Sequence, residues 1–339
     1  MTTQQPPRKL PVNGLAIFGV AVVALLFAMI VGGNMLFGRA SKTASPAPGP
    51  AMTGAAPASP PTASASKAPA PAVRTAFSPP DESSLPEGDF GKVIRRGEQI
   101  FMETGKNAPL YVGNNLNCVN CHLDAGRKAD SAPLWASFTR YPAFRSKTGQ
   151  VDTLASRIQG CFEYSMNGKA PPADGEIITA LQSYAFWLAK GAPVGTPMPG
   201  SGYPKLKQPA LPADYVRGEK VYGQNCALCH GADGLGQRAG DKQVFPPLWG
   251  PQSFNWGAGM HQMANASGFI QANMPLGKGG TLTEQEAWDV AMFMNSHERP
   301  QDPRFKGSVA ATRKAFHDTP DSMYGLTVNG HVLGSKQTH

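Results

Sequence analysis

The sequence predicts a mainly α protein of two tandem helical domains, set behind an N-terminal transmembrane helix and a Pro/Ala-rich linker. Three observations predict it. A degenerate repeat places a short amphipathic helix before a Cys-x-x-Cys-His motif in each half of the chain. Each half then closes on a second helical segment that carries aromatic residues. Upstream, one long apolar run gives way to a stretch too poor in apolar side chains to form a core.

The N-terminus sets the compartment. Leu15 to Phe37 is an almost unbroken apolar run, long enough to cross a bilayer as a helix. Arg8 and Lys9 before it favour an N-inside orientation, and Arg39 and Lys42 beyond it weaken that bias. A cleaved signal peptide is the alternative, but its apolar region would be long and a small-x-small cleavage site after it is poor. Either way the remaining chain is expected outside the cytoplasm, on the periplasmic side of a bacterial inner membrane. It is anchored there by residues 15–37, or soluble after cleavage. Residues 1–40 are assigned to the anchor or signal. Residues 41–80 form a disordered Ala/Pro/Ser-rich tether, whose prolines favour extended, semi-rigid chain.

Charge follows this division. Of 31 Lys and Arg residues, Arg8, Lys9, Arg39, Lys42, Lys67 and Arg74 lie within residues 1–75, which hold none of the 23 Asp and Glu. The formal charge of +8 therefore belongs mostly to residues 1–75, and the body is nearly neutral. No Lys/Arg run resembles a nucleic-acid footprint, so no nucleic-acid partner is expected.

The body is a repeat. Arg96-Gly97-Glu98-Gln99-Ile100-Phe101 leads to the first motif and Arg217-Gly218-Glu219-Lys220-Val221-Tyr222 to the second. The first copy has a longer insert, Gly105 to Asn117, rich in Gly and Asn. The closing segments are Gly175 to Lys190, with Tyr184, Phe186 and Trp187, and Glu284 to His297, with Trp288 and Phe293. The proline-rich stretch Gly191 to Pro212 reads as a linker. The domains are placed at 81–195 and 196–305, and a polar extension at 306–339 is expected to wrap the surface.

Cys118-Val119-Asn120-Cys121-His122 and Cys226-Ala227-Leu228-Cys229-His230 carry the chemistry. Two thiols at this spacing form thioethers to the two vinyl groups of a haem, and the adjacent His reaches the iron. A redox disulfide or part of a zinc site would use the same thiols. The His after the second Cys, seen twice at one place in a repeat, favours two covalently bound haem c groups and two cytochrome c domains. His261, His297, His317 and His331 lie outside the motifs and are expected at the surface, with His261 a possible distal ligand.

The sixth ligand decides function. In the second half Met274, in Asn273-Met274-Pro275-Leu276-Gly277, lies between the motif and the closing helix, where a thioether ligand belongs. Met260 and Met263 compete from a loop, and Met292 and Met294 are expected in the core. In the first half the same place holds Cys161, within Arg157 to Lys169. A thiolate there lowers the iron's potential. A buried inert Cys161, or Met166 as an ordinary ligand, are the alternatives.

The first motif, the segment around Cys161, and Asn273 to Leu276 through His297 to Phe305 together resemble the dihaem thiosulfate dehydrogenases. The resemblance covers roughly Leu85 to the C-terminus. It implies oxidation of two thiosulfate ions to tetrathionate, or the reverse reduction. It further implies an active first haem with His and Cys axial ligands, and a second haem as electron exit to an external acceptor, a small cytochrome c. Family members that exchange Lys with Met at the second haem differ here, because Asn273 precedes Met274. Two dianions must meet, so cations are expected around Cys161. Arg157, four residues before it, and Lys169, eight after it, share a helical face with it if that segment is helical. Arg145 and Lys147 come from the preceding loop, and Ser165 can donate a hydrogen bond. A dihaem electron carrier with no substrate of its own, and a cytochrome that conjugates thiosulfate onto a carrier protein, are the competing functions.

The body from about residue 80, supplied with a replacement signal peptide, is expected to fold and load both haems, since residues 1–75 contribute neither core nor ligands. Haem content and thiosulfate-dependent reduction of ferricyanide check this. A haem-loaded but inactive truncation would show that the tether is more than a spacer.

Overall fold

Each half of the chain is built on one close helix crossing, and the repeated glycine makes it possible. In a computed structural model describing residues 77–240 and 242–336, helix α1 (Gly88–Met102) buries Ile94, Gly97, Ile100 and Phe101 along one face. This three- and four-residue spacing is that of an amphipathic helix. Before the motif's closing helix comes a short helix α2 (Leu134–Arg140), then a hairpin of β1 (Ala143–Arg145) and β2 (Gln150–Asp152), then helix α3 (Leu154–Gly160). Helix α4 (Glu176–Leu188) follows and packs on α1. A Cβ on Gly97 would lie 2.1 Å from the Ala180 carbonyl oxygen.

The second half repeats the arrangement with α5 (Tyr215–Asn225), α6 (Met263–Asn273) and α7 (Glu284–Asn295). A Cβ on Gly218 would lie 2.1 Å from the Asp289 carbonyl oxygen. Asp214 caps α5 by accepting from the Arg217 amide, and Thr283 and Glu286 form a reciprocal cap on α7. The arginine before each glycine also repeats its role. Arg96 donates to Glu176 at 2.8 Å, and Arg217 donates to both oxygens of the buried Asp289 at 2.8 Å. Strand among the described residues is confined to three two-stranded antiparallel hairpins. The mainly α expectation therefore matches the described residues.

The apolar run 15–37 and residues 1–75 as a whole lie outside the described residues. Among those described, no helix is long and apolar enough to cross a membrane.

Three expectations are corrected. The extension after residue 305 does not merely wrap the surface: Met323, Tyr324 and Leu333 are buried with Trp256, Met263 and Trp288 in a second apolar cluster. Its polar composition hid three core residues spaced too irregularly to read as a helix or strand face. His261 and His317 are not surface residues but are 4% and 1% exposed. His297 is half-buried and stacks on Trp249, ring centres 4.1 Å apart. The Gly191–Pro212 linker is also engaged by the first half, where the Asp130 and Ala132 amides donate to the Gly200 and Gly202 carbonyls.

Gly97→Ala and Gly218→Ala are each expected to destabilise the protein by about 1–3 kcal/mol, the scale of overpacking a tight contact. Gly105→Ala, whose Cβ meets nothing within 4 Å, is the control. Thermal unfolding of the three haem-loaded variants tests the assignment, and equal melting temperatures for all three would remove it.

Candidate active site

Both Cys-x-x-Cys-His motifs hold their histidine in one tautomer. His122 Nδ1 lies 2.7 Å from the Ala132 carbonyl oxygen, and His230 Nδ1 lies 2.9 Å from that of Pro246. A carbonyl only accepts, so Nδ1 carries the proton and Nε2 keeps its lone pair free for a metal. Burial lowers both imidazole pKa values, that of His122 to about 4, so each ring is neutral. The motif thiols are unpaired. Burial pushes Cys118 up to about 12 and Cys121 and Cys226 up to about 11. Two cysteines free of any disulfide beside a neutral histidine with a free Nε2 fit a covalently attached haem c in each half.

The sequence around Cys161 folds as helix α3, capped by Thr153 accepting from the Ser156 amide, followed by a wider turn over Cys161–Ser165. One helical turn before Cys161, Arg157 Nη1 donates to its Sγ at 2.7 Å. The Cys161 charge is the main cause of a raised Arg157 pKa. Cys161 also acts electrostatically on Cys118 and Cys121, and Arg157 acts on His122. The Cys161–Arg157 pair therefore lies within electrostatic range of the first motif. Tyr203 joins it from the linker. Burial, then the charge of Cys121, raises its pKa, and Arg157 and Cys161 also act on it. An aromatic residue among prolines was the only signal that could have marked Tyr203.

The second half clasps this turn. Asn255, fully buried, donates to the Glu163 carbonyl at 2.9 Å and to Asn167 at 3.1 Å. Asn114 Nδ2 bridges the Ser165 and Ser253 carbonyls at 2.8 and 3.0 Å. Ser165 is thus held through its backbone, with its side chain half-buried.

Lys169 is a correction. The helical face it was expected to share with Cys161 ends at Met166 (φ −89°, ψ 0°) and at Asn167, whose φ is +47°. Lys169 lies past this break and is exposed. Arg145, at the end of β1, is partly spoken for by the buried Asp152 at 3.2 Å. Met166 is 2% exposed and packs in the core with Phe162. Met274 follows α6, half-buried against the core, while its rivals Met263 and Met294 are buried. The Asn273 side chain donates to the Asp130 carbonyl at 2.9 Å, which ties the Met274 segment to the loop that holds His122. His261 is engaged at both nitrogens, Nδ1 on the Ala258 carbonyl and Nε2 3.2 Å from His317 Nδ1, which leaves it no role as a distal ligand.

Beyond Cys161 lies a group of cations. Lys147 Nζ donates to the Gly257 carbonyl at 2.5 Å and sits 3.7 Å from the centre of the Tyr164 ring. The Arg304 guanidinium lies 5.3 Å from the same ring. Burial, then Arg304, Arg157 and Arg145, lowers the Lys147 pKa to about 7. Arg304 is held by two hydrogen bonds to Asp302, at 2.9 and 2.6 Å. Asp302 also takes His317 Nε2 at 2.9 Å, so it joins Arg304 to the buried His317–His261 pair. Burial alone would raise the Asp302 pKa; the hydrogen bonds from His317 and Arg304 overcome this and hold it well below the usual carboxylate range. Asp302 and Arg304 were visible only as part of a resembling segment, because nothing in their spacing links them to Tyr164.

Comparison with known proteins places these features. The family described as SoxA/TsdA, cytochrome c domain, matches residues 111–194. The family described as cytochrome C oxidase, cbb3-type, subunit III, matches residues 213–294. A thiosulfate dehydrogenase from Thiomonas intermedia (strain K12) is 57% identical over 258 residues, 76% of this chain and 82% of that protein. One from Stutzerimonas stutzeri (strain A1501) is 52% identical over 260 residues, 76% of this chain and 85% of that protein. The solved thiosulfate dehydrogenase TsdBA from Marichromatium purpuratum, in its as-isolated form, superposes with a TM-score of 0.75 at 52% identity. That match covers 78% of this chain and 58% of the solved one.

Asp302→Asn is expected to destabilise the protein by about 3–5 kcal/mol near neutral pH, because it strands Arg304 and His317. A carboxyl whose pKa is lowered by folding contributes stability that is complete above its unfolded value, about 4, and is lost as pH falls toward the folded one. The gap between variant and parent should therefore close below about pH 4. Denaturant unfolding across pH measures it, and a gap that is constant with pH would contradict the assignment.

Proposed function

The chain belongs to the thiosulfate dehydrogenase family of c-type cytochromes, and from that premise we propose that it oxidises two thiosulfate ions to tetrathionate at a first haem held by His122 and Cys161. The observation that carries this reading is the Arg157–Cys161 contact at 2.7 Å, within electrostatic range of the first Cys-x-x-Cys-His motif. A simple electron carrier has no use for a half-buried cation bonded to a sulfur at that place. The second half, 196–305, is the electron-transfer domain, with a second haem held by His230 and Met274. Asn273 in place of Lys favours plain His/Met ligation there, because its side chain is bonded to backbone carbonyls.

The chemistry balances on the protein's own sulfur. The Cys161 thiolate bonds to the outer sulfur of the first thiosulfate, giving Cys–S–S–SO₃⁻ and releasing two electrons. The outer sulfur of the second thiosulfate attacks the outer sulfur of that adduct. The Cys161–sulfur bond breaks, tetrathionate leaves, and the thiolate is restored. Haem c held by Cys118, Cys121 and His122 in one half and by Cys226, Cys229 and His230 in the other would supply one-electron acceptance, with a small cytochrome c as the external acceptor. Run backwards, the same steps reduce tetrathionate. Arg157 holds the thiolate through a charge-assisted hydrogen bond and offers its planar fork to a sulfonate. The half-buried Ser165 and Arg145 border the same turn. Two dianions 4 Å apart repel by about 4 kcal/mol even in water, so such cations are a requirement of the reaction. Residues 15–37 export the catalytic body to the periplasmic side of the membrane and anchor it there, or are cleaved.

Cys161→Gly is expected to keep both haems covalently attached, since the four motif cysteines supply every thioether. Turnover should fall by more than about 10²-fold, the scale for loss of a nucleophile. Electron paramagnetic resonance should lose a thiolate-ligated low-spin signal and leave the other haem unchanged. A variant that makes tetrathionate from thiosulfate and ferricyanide at the parent rate would sink the reading.

A further inference from the structure

We propose that Lys147 and Arg304, both carried on the Tyr164 ring, form a second anion subsite that binds the sulfonate end of the second thiosulfate ion. This rests on the reading of Cys161 as the reacting sulfur and says where the second dianion waits. Tyr164 stands three residues after Cys161 in the same turn, so its ring ties the two positions together. One cation comes from each half of the chain. Lys147 follows β1, and Arg304 follows the second closing helix.

Glu163 acts electrostatically on Arg304 and Tyr164, and of the four cations here Lys147 is the one that contacts neither a carboxylate nor the Cys161 sulfur among the described residues. Arg145 is paired with Asp152, and Arg304 with Asp302. Arg157 has the sulfur of Cys161 as its charged partner. Among the described residues Lys147 has no carboxylate partner, only the Gly257 carbonyl and the face of Tyr164. Asp302, Arg304, Arg157 and Arg145 are the charged groups that act on it. Three of these four are cations, and burial first, then their crowding, lowers its pKa to about 7. A dianion relieves that repulsion, and no rearrangement of the backbone is needed because Asn255 fixes Gly257 through a 3.0 Å bond to its amide. The guanidinium fork and the ammonium supply the donors that a tetrahedral sulfonate accepts.

The same cations could instead neutralise haem carboxylates, and the test separates the two anions. Thiosulfate is titrated into fully reduced, haem-loaded protein, where it cannot be oxidised, and the stoichiometry is read by calorimetry. The parent should bind two ions per chain. Lys147→Met, which strands no carboxylate, should bind one at unchanged affinity and the other at least about tenfold more weakly. Its KM for thiosulfate should rise while the first haem's spectrum and midpoint potential stay put. Lys147→Arg should restore the weaker site and remove the loss of affinity that the parent shows as pH rises through about 7. Arg304→Lys, which keeps a cation on Asp302, should show an intermediate weakening. A Lys147→Met protein that binds two ions as the parent does, or whose first haem shifts in potential with binding intact, overturns the subsite. Neither result touches the role of Cys161, which the Cys161→Gly variant judges separately.

Discussion

The close approach of backbone to backbone at Gly97 and Gly218 is the constraint on which the rest depends. A helix that presents a bare Cα to its neighbour's carbonyl packs without an intervening side chain. That brings the leading helix of each half directly onto the closing helix. On α1 this sets Phe101 against both Tyr184 and the His122 ring, at 5.9 and 6.1 Å between centres. On α5 it sets Tyr222 against Trp249 and Phe293 at 5.1 and 5.3 Å. The Cys-x-x-Cys-His motifs are thereby held in aromatic surroundings dry enough to push the Cys118, Cys121 and Cys226 thiols up and to keep both histidines neutral.

Between the halves, polar groups do the holding. Asn255 and Asn114 satisfy backbone carbonyls of the Cys161 turn from within the interface, and Asn273 does the same for the loop bearing Ala132, whose carbonyl orients His122. A buried amide must find partners, so each of these residues fixes a geometry as well as filling space. The linker adds Tyr203 and the Gly200 and Gly202 carbonyls to the same region. The reacting sulfur of one half is therefore positioned partly by the other.

The charges follow from that positioning. Asp302 draws Arg304 in one direction and His317 in the other, so the C-terminal segment is pinned to the surroundings of Tyr164. Arg304 meets Phe316 as well, at 4.2 Å. The extension after residue 305 accordingly has two attachments, an apolar one through Met323, Tyr324 and Leu333 and a charged one through His317.

The sequence alone determined whatever is carried by local spacing. Cys118, Cys121, His122 and their counterparts are three chemical groups within five residues, and the repeated Arg-Gly-Glu marks a helix before each. Arg157 and Cys161 are one helical turn apart, so their contact follows from the helix itself. Lys169 fails by the same rule, since a residue with positive φ intervenes and the helical period does not pass through it. What the tertiary structure decided are the partners separated by long stretches of chain. Lys147 and Arg304 share one ring across 157 positions of sequence, and His261, His317 and Asp302 form one buried chain from three segments. Such meetings are set by how helices cross and how a tail folds back, and no periodicity in a single segment encodes them.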